Sequence, residues 1–336
     1  MLEKQLWHPV VDAHTLRDAP LAVNLLGEPL VLWRDHGAVH AWADRCPHRG
    51  ARLSLGRVLT TVNGPRLECP YHGWQFAGGA AAGRCQHVPA APDFRPPAGH
   101  AAQVFDACER HGLVWVRLQA GADGALAEPP AFPEADDPAW RRVVCGPYAV
   151  ATSAPRLVEN FLDLSHFGFV HEGWLGERGH AQVQTGQVIE DAQGLRVVQA
   201  RAWQPRAYAE AEGGAWIDYA YAVPHPFAAV LHKDARQGDP VRNAIALFIR
   251  PDGDGDGACT AWFVMATHSD PASAESLVAF QDAVFAQDRP VVESQQPKAL
   301  PIGRTAPVTE VHGPADRVSS AYRRYLQRLG IALGTL

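Results

Sequence analysis

No apolar run in this 336-residue chain approaches the ~20 residues needed to cross a bilayer. The first residues, Met1-Leu2-Glu3-Lys4-Gln5-Leu6-Trp7, lack the apolar core of a signal peptide. The expectation is a cytoplasmic protein without a membrane role. Charge of one sign is not in excess: 30 Lys and Arg stand against 36 Asp and Glu, and no basic stripe suggests nucleic acid. No glycine-rich dinucleotide fingerprint follows a strand, so this chain is not expected to bind a nicotinamide itself. No internal repeat is visible. Cysteine is scarce, six in all. In a reducing compartment these are metal ligands or small buried residues rather than disulfides.

Apolar residues are plentiful, 47% of the chain, and the length suits two domains. Leu30-Val31-Leu32-Trp33 and Val39-His40-Ala41-Trp42 flank Arg34-Asp35-His36-Gly37, a hairpin turn signal. Short strands between Gly- and Pro-rich loops continue to Leu118, so residues 1–119 read as an all-β domain. Residues 120–140 read as a linker. Residues 141–336 read as an α+β domain, an antiparallel sheet flanked by helices. Its helices are expected over Ala154–Val170, Ser273–Lys298 and Pro314–Leu329, with strands from Gln182 to Thr267. Asp252-Gly253-Asp254-Gly255-Asp256-Gly257 begins like a calcium loop. Phe263 stands where an EF-hand needs its final Glu, so a hairpin loop is expected instead.

Cys46-Pro47-His48-Arg49-Gly50 and Cys69-Pro70-Tyr71-His72-Gly73-Trp74 form a matched pair, with 20 residues between His48 and Cys69. Each loop supplies one thiolate and one imidazole. Two Cys and two His could hold zinc, but a zinc finger usually groups its ligands as Cys-Cys and His-His. Here each loop carries Cys and then His, an arrangement that fits a two-iron, two-sulfide cluster. The pattern resembles the Rieske motif C-x-H…C-x-x-H. That resemblance implies that Cys46 and Cys69 bind one iron and His48 and His72 the other. It also implies a potential of about −150 to +300 mV, well above all-cysteine clusters. Trp74 is expected to pack beside the cluster and limit water. Neither loop has the additional cysteine of respiratory Rieske proteins, and their membrane anchor is not expected here. Cys85, Cys108, Cys145 and Cys259 read as structural.

A second constellation lies in Glu159–His171, where Asn160, Asp163, His166 and His171 stand as N-x-x-D-x-x-H-x-x-x-x-H. Buried polar groups of this density need partners or a metal; the alternative is a helix with surface histidines. Together with the upstream motif, the stretch resembles the catalytic α-subunit of Rieske non-haem iron oxygenases. The likeness covers nearly the whole chain and points to the α-only group around vanillate O-demethylase and toluenesulfonate methyl-monooxygenase. It implies that His166 and His171 are ligands of a mononuclear Fe(II). It further implies that Asp163 bonds His166 and reaches His72 of the partner subunit, and that Asn160 supports the iron site. On a regular helix His166 and His171 would lie about 140° apart, so both can face one metal only if the helix breaks or bends between them, and Gly168 lowers the cost of doing so.

The resemblance also implies a downstream carboxylate as third ligand, leaving open positions for O2 and substrate. Helical periodicity places Leu277, Gln281, Val284, Asp288, Val291, Val292 and Gln295 on one stripe. Asp288 sits on this apolar face, and Asp282 and Glu293 point elsewhere. Asp288 is therefore chosen; a salt bridge to an arginine is the alternative. Pro290 is expected to disturb this helix.

The activity implied is monooxygenation of a small, aromatic or cyclic organic substrate, with O- or N-demethylation as one outcome. Electrons would come from NAD(P)H through a separate flavin and iron–sulfur reductase, with or without a ferredoxin, and the oxygenase would be a homotrimer. The competing readings are a cis-dihydroxylating dioxygenase and a non-enzymatic Rieske electron carrier with a binding domain. Phe167, Trp216, Tyr221, His232 and Phe248 are candidate pocket residues, and His225 and His232 are not expected to be ligands.

Overall fold

A computed structural model describes residues 1–121, 124–205, 213–234, 242–253, 255, 257–303 and 306–336. The chain divides into two units, Lys4–Ala122 and Asp123–Leu336, with Met1–Glu3 belonging to the second.

The first unit is built from β1 (His8–Asp12), β2 (Leu21–Leu25), β3 (Glu28–Asp35), β4 (Ala38–Ala43), β5 (Arg57–Leu59), β6 (Arg66–Glu68), β7 (Gln75–Ala77), β8 (Cys85–His87), β9 (Val104–Arg110) and β10 (Leu113–Arg117). Six of them form one sheet in the order β1-β10-β9-β4-β3-β2, and β5 to β8 form a small sheet in sequence order. The β3–β4 turn carries His36 and Gly37 at φ of 46° and 90°. Two positive φ values in a row give the turn whose twist matches an antiparallel ribbon. Leu30 and Leu32 of β3 join one core with Val114 and Val116. Val31 and Trp33 alternate into a second core that holds Cys46, Cys69 and Phe76. Burial on both faces explains the unbroken apolar run of this strand.

The second unit contains α1 (Pro133–Asp136), β11 (Arg141–Val150), α2 (Ala154–Leu162), α3 (Phe167–Val170), β12 (Gln187–Asp191), β13 (Gly194–Gln204), β14 (Ala215–His225), β15 (Ala228–Asp234), β16 (Arg242–Pro251), β17 (Cys259–His268), α4 (Ala274–Ser294) and α5 (Arg317–Leu329). The seven strands form one antiparallel sheet, β11-β17-β16-β15-β14-β13-β12. The helices α2 and α4 begin at serines whose hydroxyls accept N–H bonds: Ser153 from Arg156 and Ser273 from Ser276. α5 ends on Gly330 in the left-handed conformation, φ 71°. Helix α2 is tied to α5 by Arg323, which donates to both carboxylate oxygens of Glu159 at 2.6 and 2.8 Å. Glu310 accepts from Arg323 at 2.6 Å and from Arg156 at 2.5 Å.

Four sequence expectations change. The helix expected over Ala154–Val170 is two helices, and the break precedes His166 instead of falling at Gly168. Asp163 turns extended (φ −90°, ψ 125°) and its Oδ1 accepts the Ser165 N–H at 2.8 Å, a local bond that competes with the helix. Gly168 serves close packing: a Cβ there would lie 2.9 Å from the Glu177 carbonyl oxygen. Helix α4 runs on through Pro290 but stops at Ser294, short of Lys298. The closing helix starts at Arg317, after a 3-10 turn over Pro314–Asp316. Within 124–140, Phe132 is fully buried against Phe248, and α1 follows it. The Asp252–Gly257 segment joins β16 to β17 as a hairpin loop; Asp254 and Asp256 lie outside the described residues.

Candidate metal centres and substrate cavity

The two Cys-His loops of the first unit share one backbone design. Cys46 N–H donates to Ala51 O at 2.8 Å, and Cys69 N–H donates to Trp74 O at 2.8 Å. Gly50 N–H returns to Cys46 O, and Gly73 N–H to Cys69 O. Both glycines are left-handed, with φ of 72° and 70°. The repeated turn explains why each motif carries a glycine four residues after its cysteine. Both cysteines are buried, 1% and 2% exposed. Burial pushes the Cys46 thiol up to about 12, with Cys69 adding to the effect, so a cation beside Cys46 favours its thiolate. The His48 and His72 rings meet at 4.6 Å between centroids. His48 Nδ1 is buried without a hydrogen-bond partner. Trp74 stacks on His48 at 4.5 Å, nearly parallel at 3°, and covers that imidazole. Cys85, Cys145 and Cys259 are buried free thiols, and Cys108 is half-buried.

In the second unit His166 is the residue before α3 and His171 the residue after it. One helical turn flanked by the two histidines lets their rings converge despite the five-residue spacing. His166 Nε2 lies 3.4 Å and His171 Nε2 3.3 Å from the same atom, Asp288 Oδ1 on α4. Asn160 Nδ2 donates to that oxygen at 3.4 Å. The ligand atoms of His166, His171 and Asp288 all lie within 4.8 Å of one another. Among the described residues this is the one group of three or more His, Cys, Asp or Glu so close. The other ring nitrogens point away: His166 Nδ1 to Asp163 Oδ2 at 3.2 Å, and His171 Nδ1 to Gln287 Oε1 at 2.7 Å. Burial works to raise the Asp163 carboxyl, but His166 and Ser165 bring it below its ordinary value. Asp282 is engaged by the Tyr148 hydroxyl, and Glu293 accepts the Ala151 N–H at 3.0 Å. Gln287 was not singled out in the sequence. Its neighbour Asp288 was the only signal, since its partner is 116 residues away.

The three convergent groups border a cavity of about 860 Å³. Its floor is one face of the seven-stranded sheet, and α2 and α4 contribute further walls. Phe167 and Tyr221 line it as expected. Trp216, His232 and Phe248 do not. All three sit on the opposite sheet face, because side chains alternate along a strand. There His232 bonds Glu134 at 2.7 Å, Phe248 packs on Phe132, and Trp216 meets Trp203. Phe161, beside Asn160, packs edge-on to Tyr221 at 6.1 Å and against Phe263 at 6.0 Å.

An all-β unit with paired Cys-His loops, followed by an α+β unit with two imidazoles and a carboxylate at a cavity, defines a class: two-domain iron oxygenases. Residues 6–104 match the Rieske [2Fe-2S] domain family. Residues 150–332 match the vanillate O-demethylase oxygenase C-terminal domain. The chain belongs to the Rieske non-haem iron oxygenases. It is 36% identical over 333 residues to methylxanthine N1-demethylase NdmA of Pseudomonas putida, spanning 97% of this chain and 89% of that protein. The structure of Pseudomonas putida NdmA with caffeine superposes with a TM-score of 0.77, at 34% identity, over 97% of this chain and 90% of that one. Dicamba monooxygenase bound to dicamba superposes with a TM-score of 0.73 at 26% identity, over 97% of both chains. The protein is thus the oxygenase component of a Rieske system, an oxidoreductase with a [2Fe-2S] cluster and a mononuclear iron. It uses O2 and electrons from a separate NAD(P)H reductase to hydroxylate a small organic substrate. Among the described residues, no helix is long and apolar enough to cross a membrane.

Proposed function

We propose that this oxygenase removes a methyl group from nitrogen or oxygen on a small aromatic or cyclic compound, with His166, His171 and Asp288 holding the Fe(II). The observation that carries the reading is the convergence of these three side chains at the border of a largely apolar 860 Å³ cavity. Cys46 and Cys69 are assigned to one cluster iron and His48 and His72 to the other. A single zinc ion would draw all four ligand atoms to about 2.0–2.3 Å from one point. Each loop pairs one thiolate with one imidazole, and residues 6–104 match the Rieske [2Fe-2S] domain, which favours two irons over one zinc. The cluster domain is taken as 1–119, joined through 120–140 to the catalytic domain 141–336. The assembly is taken as a cytoplasmic homotrimer.

When bound, the ferrous ion supplies O2 activation. The chain's own residues prepare that site. Asp163 and Gln287 accept the Nδ1 protons of His166 and His171, which leaves both Nε2 lone pairs free to ligate. Asn160 orients the Asp288 carboxylate through its amide. The aromatic walls exclude water from the substrate methyl group. Insertion of one atom of O2 into a methyl C–H bond, the other leaving as water with two electrons from the reductase and two protons, would give a hydroxymethyl group; its C–X bond then breaks, the hydroxyl proton passes to the nitrogen or oxygen, and the carbon leaves as formaldehyde. Asp163 has a second role, an imidazole–carboxylate–imidazole path to His72 of the partner subunit; its side chain is 30% exposed and therefore reachable. Product analysis with labelled O2 tests the reading. An unlabelled demethylated ring product, with one formaldehyde formed per substrate consumed, is expected; two labelled atoms on adjacent ring carbons would replace the reading with cis-dihydroxylation.

A further inference from the structure

The lining of the cavity is exposed in one place. Pro271, Ser276 and Phe280 are its exposed members among the described residues, and they lie together in the loop before α4 and the first two turns of that helix. The iron end is closed, with His171 1% and Asp288 8% exposed. Phe280 and Asp288 stand eight residues apart on α4, so the mouth is about 12 Å along the helix from the proposed iron ligand.

A second aromatic residue stands at this mouth. Trp174 packs on Phe280 with ring centroids 5.7 Å apart and planes 30° apart. Trp174 does not itself line the cavity; it covers a residue that does. Two large apolar side chains left 42% and 45% exposed at one spot need an occupant or a task. The backbone that carries Trp174 is fixed. His171 O accepts the N–H of Trp174 at 2.9 Å and of Leu175 at 3.0 Å, and Gly173 N–H donates to Gly176 O at 2.9 Å. A Cβ at Gly176 would lie 2.5 Å from the carbonyl carbon of Phe167, so the loop is pressed against α3. Rings in contact at 5.7 Å leave no passage between them. They part by turning side chains, which is fast for exposed residues, and an aromatic pair adds little beyond the area it buries.

We propose that Trp174 and Phe280 form a gate at the mouth of the cavity and select substrates by the rate at which they enter. A flat ring system passes when the pair turns; a ring with a branched substituent needs a wider opening and is held back. The inference rests on the cavity being the substrate site of the demethylase and names what that site admits.

The test uses the full chain loaded with its cluster and ferrous iron. Association and dissociation rates are measured by stopped flow, from the emission of the probe itself, for 2-methoxynaphthalene and 6-tert-butyl-2-methoxynaphthalene. Both are far smaller than the 860 Å³ cavity, so a difference in rate reports passage rather than fit. The flat probe is expected to enter at least tenfold faster than the branched one. Trp174→Ala is expected to raise both rates of the branched probe at least fivefold while its Kd stays within twofold, because a gate changes entry and exit equally. Trp174→Phe keeps a ring and is expected to keep the discrimination. Iron content, cluster absorbance and Tm verify each variant; if Trp174→Ala loses iron, Phe280→Ala repeats the rate test from the other side of the mouth. Equal entry of the two probes into the parent overturns the inference. So does an unchanged ratio in the open variant, which would place entry elsewhere on the rim. A change confined to dissociation and Kd also overturns it, since that marks a binding contact. Failure of the loaded protein to bind either probe would remove the cavity as the substrate site, and the demethylase reading with it.

Discussion

Replacing Gln287 by Leu isolates the hydrogen bond behind one proposed iron ligand. Gln287 Oε1 lies 2.7 Å from His171 Nδ1. A carbonyl oxygen can only accept, so Nδ1 carries the proton and Nε2 keeps the lone pair aimed toward Asp288, 3.3 Å away. His171 is 1% exposed, so water cannot take over the role of Gln287. Leucine leaves a buried N–H without an acceptor, at a cost of about 1–3 kcal/mol. That range matches the ~10–100-fold loss of metal affinity usual when the partner behind a ligating histidine is removed. Competition for ferrous iron against a chromophoric chelator measures the loss, with cluster absorbance as the internal control. Gln287→Glu keeps an acceptor and is expected to hold iron at least as well as the parent. Iron affinity of Gln287→Leu within twofold of the parent would refute the argument that Gln287 sets the His171 tautomer.

Three further outcomes follow from other contacts. Asp163→Asn is expected to keep both metals and to slow cluster reoxidation in a single turnover by about 10–100-fold, read by stopped-flow absorbance; an unchanged rate would remove Asp163 from the path. Burial works to raise the Glu310 carboxyl, but Arg156 and Arg323 hold it below the ordinary value of about 4.3. A carboxyl held low in the folded state stabilises the fold above its unfolded pKa, and that contribution fades as pH falls through the folded value. Glu310→Gln is therefore expected to lower Tm at pH 7 and to flatten its decline below about pH 4.3. Phe132→Ala removes a fully buried ring packed on Phe248 and is expected to cost about 3–5 kcal/mol in a denaturant titration.

The paired turns of the Cys-His loops were legible because their information is local: each has a cysteine, a histidine and a left-handed glycine within five residues. Asp288 was legible because helical periodicity alone places it on the buried stripe of α4. That stripe was not complete, since Phe285 is buried and Val291 is 43% exposed. The helix break was misplaced because Gly168 drew attention, whereas the signal was Asp163 followed at two residues by Ser165, an Asx-type turn. Strand parity would have separated the pocket candidates. Taking Tyr221 as inward makes Trp216 outward on the same strand, and the pairing of Ala220 with His232 puts that histidine outside too.

The central claim is that one polypeptide holds two unlike iron centres that can be separated by a single substitution. Iron and acid-labile sulfide should be counted on the reconstituted protein and on His166→Ala. The account predicts three irons and two sulfides per chain in the parent, and two irons with an unaltered cluster spectrum in the variant. Zinc without labile sulfide in the parent, or loss of the cluster along with the mononuclear iron in His166→Ala, would contradict it.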